Sequence, residues 1–135
     1  RTGTYAAFRG PRQEPPGIPL IEPLGMSPAI VVADEEHVIA TGQQLNDLCH
    51  DLGILHLVYA GFATNWCVVG RDYGMRAMCR RGYNLILLRD ATTGVEFPDT
   101  INELMATELA VREAEQQIGF TSSNEDFLAA CCDVC

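Results

Sequence analysis

The residue whose type and position best suit chemistry is Cys67, within GFATNWCVVGRDYGMR, residues 61 to 76. It follows the apolar run ILHLVYA, residues 54 to 60, and the pattern predicts a helix from about Asn65 to Arg81. A cysteine in the first turn of a helix meets unpaired N–H groups and the positive end of the helix dipole, which favour thiolate over thiol. The same N–H groups can stabilise an oxyanion. The position therefore indicates a nucleophile, with a small apolar filler as the alternative.

The elements that must position Cys67 alternate between strand and helix. Such alternation predicts an α/β fold, a three-layer α/β/α Rossmann-like domain with a mostly parallel sheet. Ligands of such sheets bind beyond the carboxyl ends of the strands, where Cys67 and Asp90 both fall. The predicted elements are a short strand at 29–32, a helix capped by Thr41, buried strands at 54–60 and 83–88, a helix from about Asp99 or Thr100 to Gln117 with Glu103 at capping-box spacing, a strand at 118–121 and a helix from about Asn124 capped by Ser123.

The chain divides in composition near residue 28. Residues 1–28 carry all but one of the 7 prolines and are expected to be extended or loop structure, with one short strand near 19–21. Residues 29–135 are expected to form the α/β domain. The doubly wound pattern alone would also allow a dinucleotide-binding domain, but no Gly-x-Gly-x-x-Gly follows either buried strand.

Charge and cysteine usage limit the classes of partner. The net charge is −9 and every basic residue is arginine, without a basic stripe, which argues against nucleic acid or an anionic membrane surface. No apolar run approaches the roughly 18 residues of a membrane span. The cysteines are not spaced as a disulfide framework, so we expect a reducing, cytoplasmic environment. Three of them crowd the last five residues without the usual zinc-ligand spacing, and we expect neither a metal nor a cofactor; they are Cys131, Cys132 and Cys135.

The stretch GFATNWCV, followed later by RGYNLILLRDATTG, resembles the signature of the isochorismatase-like cysteine hydrolases. That family includes nicotinamidases, N-carbamoylsarcosine amidases and related small-amide hydrolases. The similarity covers roughly residues 29 to 130, with a specific core from 53 to 94. The matching residues are Gly61, Ala63, Thr64, Asn65, Cys67, Val68, Gly82, Tyr83, Asp90 and Ala91.

The resemblance implies a role for each residue of the turn. Cys67 would attack the carbon of a small amide or carbamoyl substrate and form an acyl-enzyme. A cis peptide bond would join Phe62 to Ala63 and would aim the amide of Ala63, together with that of Cys67, at the oxyanion. Phe62, Thr64 and Trp66 would contact the substrate.

Two parts of the family's pattern have no match in this chain. The family's Asp belongs to the first strand of the domain, but residues 1–28 contain no Asp; the family's Lys has no counterpart because the chain contains no lysine. We expect either that another segment or subunit supplies them, or that the chain is a catalytically impaired homologue that binds ligands or forms oligomers. His37 could replace the cation, although a surface loop histidine is the simpler interpretation.

The incomplete pattern also predicts association. An open sheet without its early strands would expose an edge and an apolar face, so we expect a homo-oligomer or association with a preceding N-terminal segment.

Two acidic residues near Cys67 are given structural roles: Asp72 is expected to pair with Arg76 at i, i+4, and Asp90 to organise its own loop through Thr92 or Thr93.

Overall fold

A computed structural model describes residues 29–132; the predicted strand at 19–21 and Cys135 lie outside the described residues. The chain divides into two compact units, and the boundary between them lies between His37 and Val38. The elements are α1 (Gly42–Asp51), β1 (His56–Phe62), a π-helical segment called here the π-turn (Thr64–Val68), α2 (Met75–Arg80), β2 (Asn84–Thr93), α3 (Met105–Gln117), β3 (Phe120–Ser122) and α4 (Asn124–Cys132).

The three strands form one sheet in the order β1-β2-β3, and both pairs are parallel. Leu57 lies opposite Leu85 and Tyr59 opposite Leu87, while Ile86 of β2 pairs with Phe120 of β3. Helices flank this sheet, and each crossover between successive strands contains a helix. The predicted α/β class with a parallel sheet is confirmed.

The core lies on the face of β2 that carries Leu85 and Leu87, both buried, because residues two apart in a strand point to the same side. Met75 and Met78 of α2 pack there together with residues of α3 and of the π-turn. Full burial of one such side chain contributes about 1.5–3 kcal/mol. The π-turn is thereby attached to the core through the buried Val68.

α1 begins as the sequence predicts. Thr41 Oγ1 accepts a hydrogen bond from Gln44 N, and the Gln44 side chain accepts one from Thr41 N, which completes a capping box. The helix ends before Gly53, whose φ of 66° suits glycine.

Asp72 adds a second cap to α1. Its Oδ2 accepts a hydrogen bond of 2.8 Å from Gly42 N. The predicted pair with Arg76 is therefore wrong: Arg76 instead forms a salt bridge with Glu113 of α3. A carboxylate at a helix N-terminus gains from the helix dipole as well as from the hydrogen bond, which an exposed i, i+4 pair does not offer.

The single helix predicted from Asn65 to Arg81 is broken. The π-turn continues into two further helical residues, 69 and 70, which are followed by a bend at residues 71–74, and α2 starts only at Met75. At Gly74 a Cβ atom would lie 2.8 Å from Val68 O and 2.9 Å from Cys67 O, so the backbones approach more closely than any other residue allows. The break depends on this close approach, which no helical periodicity reveals.

α3 begins later than predicted, at Met105, because neither Thr100 nor Glu103 caps it. The preceding residue, Leu104, has a φ of 52° and makes no capping bond. Glu96 caps the helix instead: its carboxylate accepts hydrogen bonds from Ala106 N at 3.0 Å and Thr107 N at 2.7 Å.

The Glu96 carboxylate also accepts from two hydroxyls, those of Thr100 and Thr107, each at 2.7 Å. Burial by itself would raise the pKa of Glu96, but the hydrogen bonds to the ionised form outweigh it and hold the pKa at about 2. Thr100 thus serves the cap of α3 indirectly, by donating to Glu96 and accepting from Phe97 N.

The strand predicted at residues 29–32 is wrong. These residues are irregular, and Val31 is 87% exposed. An apolar run becomes a strand only when a neighbouring strand pairs with it, and none does so in the described part of the N-terminal unit. His37 is an exposed loop residue of the same unit, as its simpler interpretation had it. The predicted domain boundary after residue 28 stays a prediction.

The last elements agree with their predictions to within two residues. β3 is shorter than expected, and α4 begins at Asn124 with Ser123 Oγ accepting a hydrogen bond from Asp126 N. The longest helix within residues 29–132 is α3, with 13 residues, and no helix in that range has the length and apolar character needed to cross a membrane.

Candidate active site

A tight turn carries the chain from β1 to Cys67. Gly61 has a φ of 96°, and the Phe62–Ala63 peptide bond is cis, as the resemblance implied. Ala63 O accepts hydrogen bonds of 3.1 Å from both Trp66 N and Val68 N, which closes the π-turn. Cys67 therefore lies just beyond the carboxyl end of a parallel strand, at the edge where such sheets bind ligands.

A buried hydroxyl pair fixes the start of the π-turn. Thr92 Oγ1 donates to Gly61 O at 2.8 Å and lies 2.6 Å from Thr64 Oγ1. A hydroxyl has one hydrogen, so Thr64 must be the donor to Thr92. Both threonines are buried, and together they connect the end of β1, the π-turn and β2.

A second connection joins the π-turn to the loop after β2. Asn65 Oδ1 accepts from Val95 N at 2.8 Å and Asn65 Nδ2 donates to Val95 O at 3.1 Å, so one amide side chain satisfies both backbone groups of Val95. The neighbouring Gly94 N donates to Thr107 Oγ1 of α3 at 2.8 Å. The loop is thus held between the π-turn and the first turn of α3.

Cys67 itself is half-buried, so its sulfur is neither enclosed by hydrocarbon nor fully solvated. Its carbonyl accepts a hydrogen bond of 3.2 Å from Arg71 N, which places Arg71 one turn further along on the same side of the chain. A hydrogen bond to the Cys67 side chain is the main reason why the pKa of the Arg71 guanidinium is raised. Sequence reasoning missed Arg71, although the i, i+4 spacing was visible.

The side chains expected to contact a substrate differ in exposure. Phe62 is 75% and Trp66 63% exposed, so both offer aromatic surface beside the turn. Thr64 is fully buried, with its hydroxyl committed to Thr92. The backbone amides expected to hold an oxyanion, those of Ala63 and Cys67, belong to the same turn.

A protein-family model for the isochorismatase domain matches residues 6–125. The chain belongs to the isochorismatase family. The match begins earlier than residue 29, where the similarity was expected to start. No curated protein matches the chain. Membership implies a hydrolase of the isochorismatase-like superfamily.

Asp90 makes a hydrogen bond to a distant helix that the sequence did not indicate. Asp90 Oδ2 accepts a hydrogen bond of 2.9 Å from Asn124 N, the first residue of α4, instead of bonding to Thr92 or Thr93. A cavity of about 540 Å³ lies beside it, between the end of β2 and the first half of α3. Arg89, Glu103 and Glu108 line this cavity together with Asp90, and Cys67 does not.

The other described cysteines are not linked to Cys67. Cys49, Cys67, Cys79 and Cys132 form no disulfide, and Cys131 and Cys132 are exposed on α4. Within residues 29–132, no group of three or more His, Cys, Asp or Glu side chains is arranged to hold a metal ion.

Proposed function

We propose that the protein is a cysteine hydrolase that cleaves a small amide or carbamoyl substrate through Cys67. One observation carries the proposal: in a chain of the isochorismatase family, the half-buried Cys67 lies at the carboxyl edge of the sheet, on a turn held by the Thr64–Thr92 pair and the Asn65 amide. A nucleophile on a rigid turn keeps its orientation toward a bound carbonyl, and orientation alone is worth several kcal/mol of barrier.

The reaction would proceed in two steps. The Cys67 thiolate attacks the carbonyl carbon, a C–S bond forms, and the carbonyl oxygen becomes an oxyanion that the amides of Ala63 and Cys67 stabilise. The C–N bond then breaks, the amine leaves with a proton from water, and a thioester remains. Water hydrolyses this thioester, which releases the carboxylic or carbamic acid and regenerates the thiol.

The aromatic side chains suggest where the substrate lies. In this proposal, Phe62 and Trp66 contact the apolar part of a small substrate, since both are exposed beside the turn. Thr64 has no exposed side-chain surface, so we assign it a positioning role through its bond to Thr92 in place of direct substrate contact.

A second candidate function has support of its own. The chain contains no lysine, and within residues 29–132 no carboxylate hydrogen-bonds to Cys67. General acid–base assistance is typically worth 10²–10⁴-fold, so its loss would leave slow turnover. The alternative is therefore a catalytically impaired homologue that acts as a binding or oligomer-forming subunit.

Association is part of both candidates. β1 is the outer strand of the described sheet, and apolar side chains at or just before it are partly exposed: Ile54 37%, Leu55 53% and Val58 41%. We propose that the protein associates through this edge in a reducing, cytoplasmic environment. Light scattering of the full chain tests this, and a stable monomer at micromolar concentration would contradict it.

The hydrolase proposal is tested by ammonia release from a panel of primary amides and N-carbamoyl compounds. We expect turnover by the wild type and by the Cys132→Ser control, which alters an exposed thiol of α4, and a loss of at least about 10³-fold in Cys67→Ala. Mass spectrometry of quenched reactions should show an acyl group on the Cys67 peptide. Turnover that persists in Cys67→Ala would refute the proposal, and a silent panel with an intact fold would favour the binding subunit.

A further inference from the structure

The helix that follows Cys67 is too short to supply a large field. The sequence predicted a long helix, but the helical segment that contains Cys67 covers only residues 64–70, and the chain bends at residues 71–74. The charge at a helix terminus arises from aligned peptide dipoles, so a short, interrupted segment contributes little. A thiolate at this position therefore needs another source of positive charge.

We propose that Arg71 is that source, and that its guanidinium positions and stabilises the Cys67 thiolate. This inference rests on the proposed role of Cys67 as nucleophile. The chain has no lysine, so a cation beside this thiol has to be an arginine or a histidine. Arg71 lies four residues after Cys67 and donates its backbone N–H to Cys67 O at 3.2 Å, which keeps the two residues on one side of the turn.

Arg71 forms no salt bridge among the described residues, although the adjacent Asp72 and Tyr73 also help to raise the pKa of its guanidinium. The salt bridges found within residues 29–132 join His50 to Asp51 and two other arginines to glutamates, and Arg71 takes part in none of them. The raised pKa of the guanidinium, caused mainly by its bond to Cys67, agrees with this pairing. Arginine stays protonated throughout the pH range in which a thiol titrates, so ionisation of Cys67 releases its proton to solvent and Arg71 keeps its charge.

The other charged and titratable groups around the turn are engaged. Asp72, next to Arg71, accepts from Gly42 N. Tyr59 of β1 donates its hydroxyl to Tyr73 O at 2.8 Å. The charged residues of α3, which packs against the π-turn, have partners of their own: Glu108 with Arg112, Glu113 with Arg76, and Glu115 with Thr121. Among the groups around the turn, Arg71 is the cation that forms no salt bridge within residues 29–132.

The pH dependence of Cys67 alkylation by iodoacetamide tests the inference, with the full chain and peptide mapping to separate Cys67 from the other thiols. Four proteins are compared between pH 5 and 10: the wild type, Arg71→Gln, Arg71→Lys and Arg80→Gln. Arg80→Gln is the matched control, because Arg80 is an exposed arginine like Arg71 but lies at the end of α2. Circular dichroism verifies that each variant is folded.

We expect the midpoint of Cys67 alkylation to rise by about 0.5–1 pH unit in Arg71→Gln, which corresponds to a three- to ten-fold slower reaction below the midpoint. Arg71→Lys should restore most of the shift, and Arg80→Gln should leave the midpoint unchanged. A midpoint in Arg71→Gln equal to that of the wild type, or an equal shift in Arg80→Gln, would overturn the inference. Alkylation does not need turnover, so a shift without any amide hydrolysis would refute the proposed function and leave the role of Arg71 standing.

Discussion

The buried hydroxyl pair at the start of the π-turn allows a quantitative prediction. Replacing Thr92 by Val keeps the shape of the side chain but removes both of its hydrogen bonds, at 2.6 Å to Thr64 and 2.8 Å to Gly61 O. The Thr64 hydroxyl and the Gly61 carbonyl then lose their partners. Each buried group left unsatisfied costs about 1–3 kcal/mol, so we expect Thr92→Val to lower the free energy of unfolding by about 2–6 kcal/mol.

The reciprocal change is predicted to cost less. In Thr64→Val, Thr92 still donates to Gly61 O and only one hydrogen bond is lost, at about 0.5–1.5 kcal/mol. The double variant leaves only Gly61 O without a partner, because no hydroxyl remains to be orphaned. We therefore expect the double variant to cost about as much as Thr92→Val alone or less, and hence less than the sum of the two single changes.

Urea unfolding of the four proteins measures this cycle, with Thr93→Val as the control because Thr93 lies in the same strand with an exposed side chain. The control should change the free energy of unfolding by less than about 0.5 kcal/mol. Two results would refute the reasoning: a Thr92→Val protein as stable as the control, or single changes that add without coupling. Cys67 alkylation of the same variants should become faster, since a loosened turn exposes the sulfur.

Two further changes test the caps of α3 and α1. The pKa of Glu96 is lowered to about 2, so its stabilising contribution is present above about pH 4.5 and is lost as the pH falls toward 2. The urea midpoint should therefore fall less steeply over that range in Glu96→Gln than in the wild type or in the Glu103→Gln control. Parallel slopes in all three proteins would contradict the assignment of Glu96 as the cap. Gly42→Ala would place a Cβ atom 2.0 Å from Asp72 O, so we expect the free energy of unfolding in urea to fall by about 1–3 kcal/mol. Gly70→Ala should be tolerated, because nothing lies within 4 Å of a Cβ atom at that position. Equal effects of the two changes would contradict the close approach of Gly42 to Asp72.

The sequence predicts best the elements whose signals are local. α1 has its N-cap, Thr41, directly before its first turn, and the structure confirms this cap. The apolar runs at 54–60 and 83–88 coincide largely with β1 and β2, so both are strands as predicted. The predicted burial of the first run is wrong, because the residues of β1 alternate between exposed and half-buried at the outer position of the described sheet. The position of Cys67 follows from the same local signals, because a residue just after a parallel strand must lie at the edge of the sheet.

The errors occur where a distant residue decides the local structure. The apolar run at 29–32 has high strand propensity but no paired neighbour among the described residues, and it is irregular. The helix after Cys67 is broken where Gly74 meets the carbonyls of Cys67 and Val68. Thr64 is held inside by its hydroxyl bond to Thr92, which is on the next strand. None of these partners can be identified from sequence spacing alone.

The acidic residues near the edge of the sheet show the same principle and bear on the chemistry. Asp72, Glu96 and Asp90 each accept a backbone N–H at the first turn of a helix that begins elsewhere in the chain, namely α1, α3 and α4. A carboxylate in this position is held by the helix dipole and by its hydrogen bonds, and in Glu96 these hydrogen bonds lower the pKa. These three carboxylates are therefore occupied in positioning helices. In our proposal the thiol is accompanied by a cation, Arg71, and a hydrolase built this way would depend on thiolate stabilisation more than on proton transfer by a neighbouring acid.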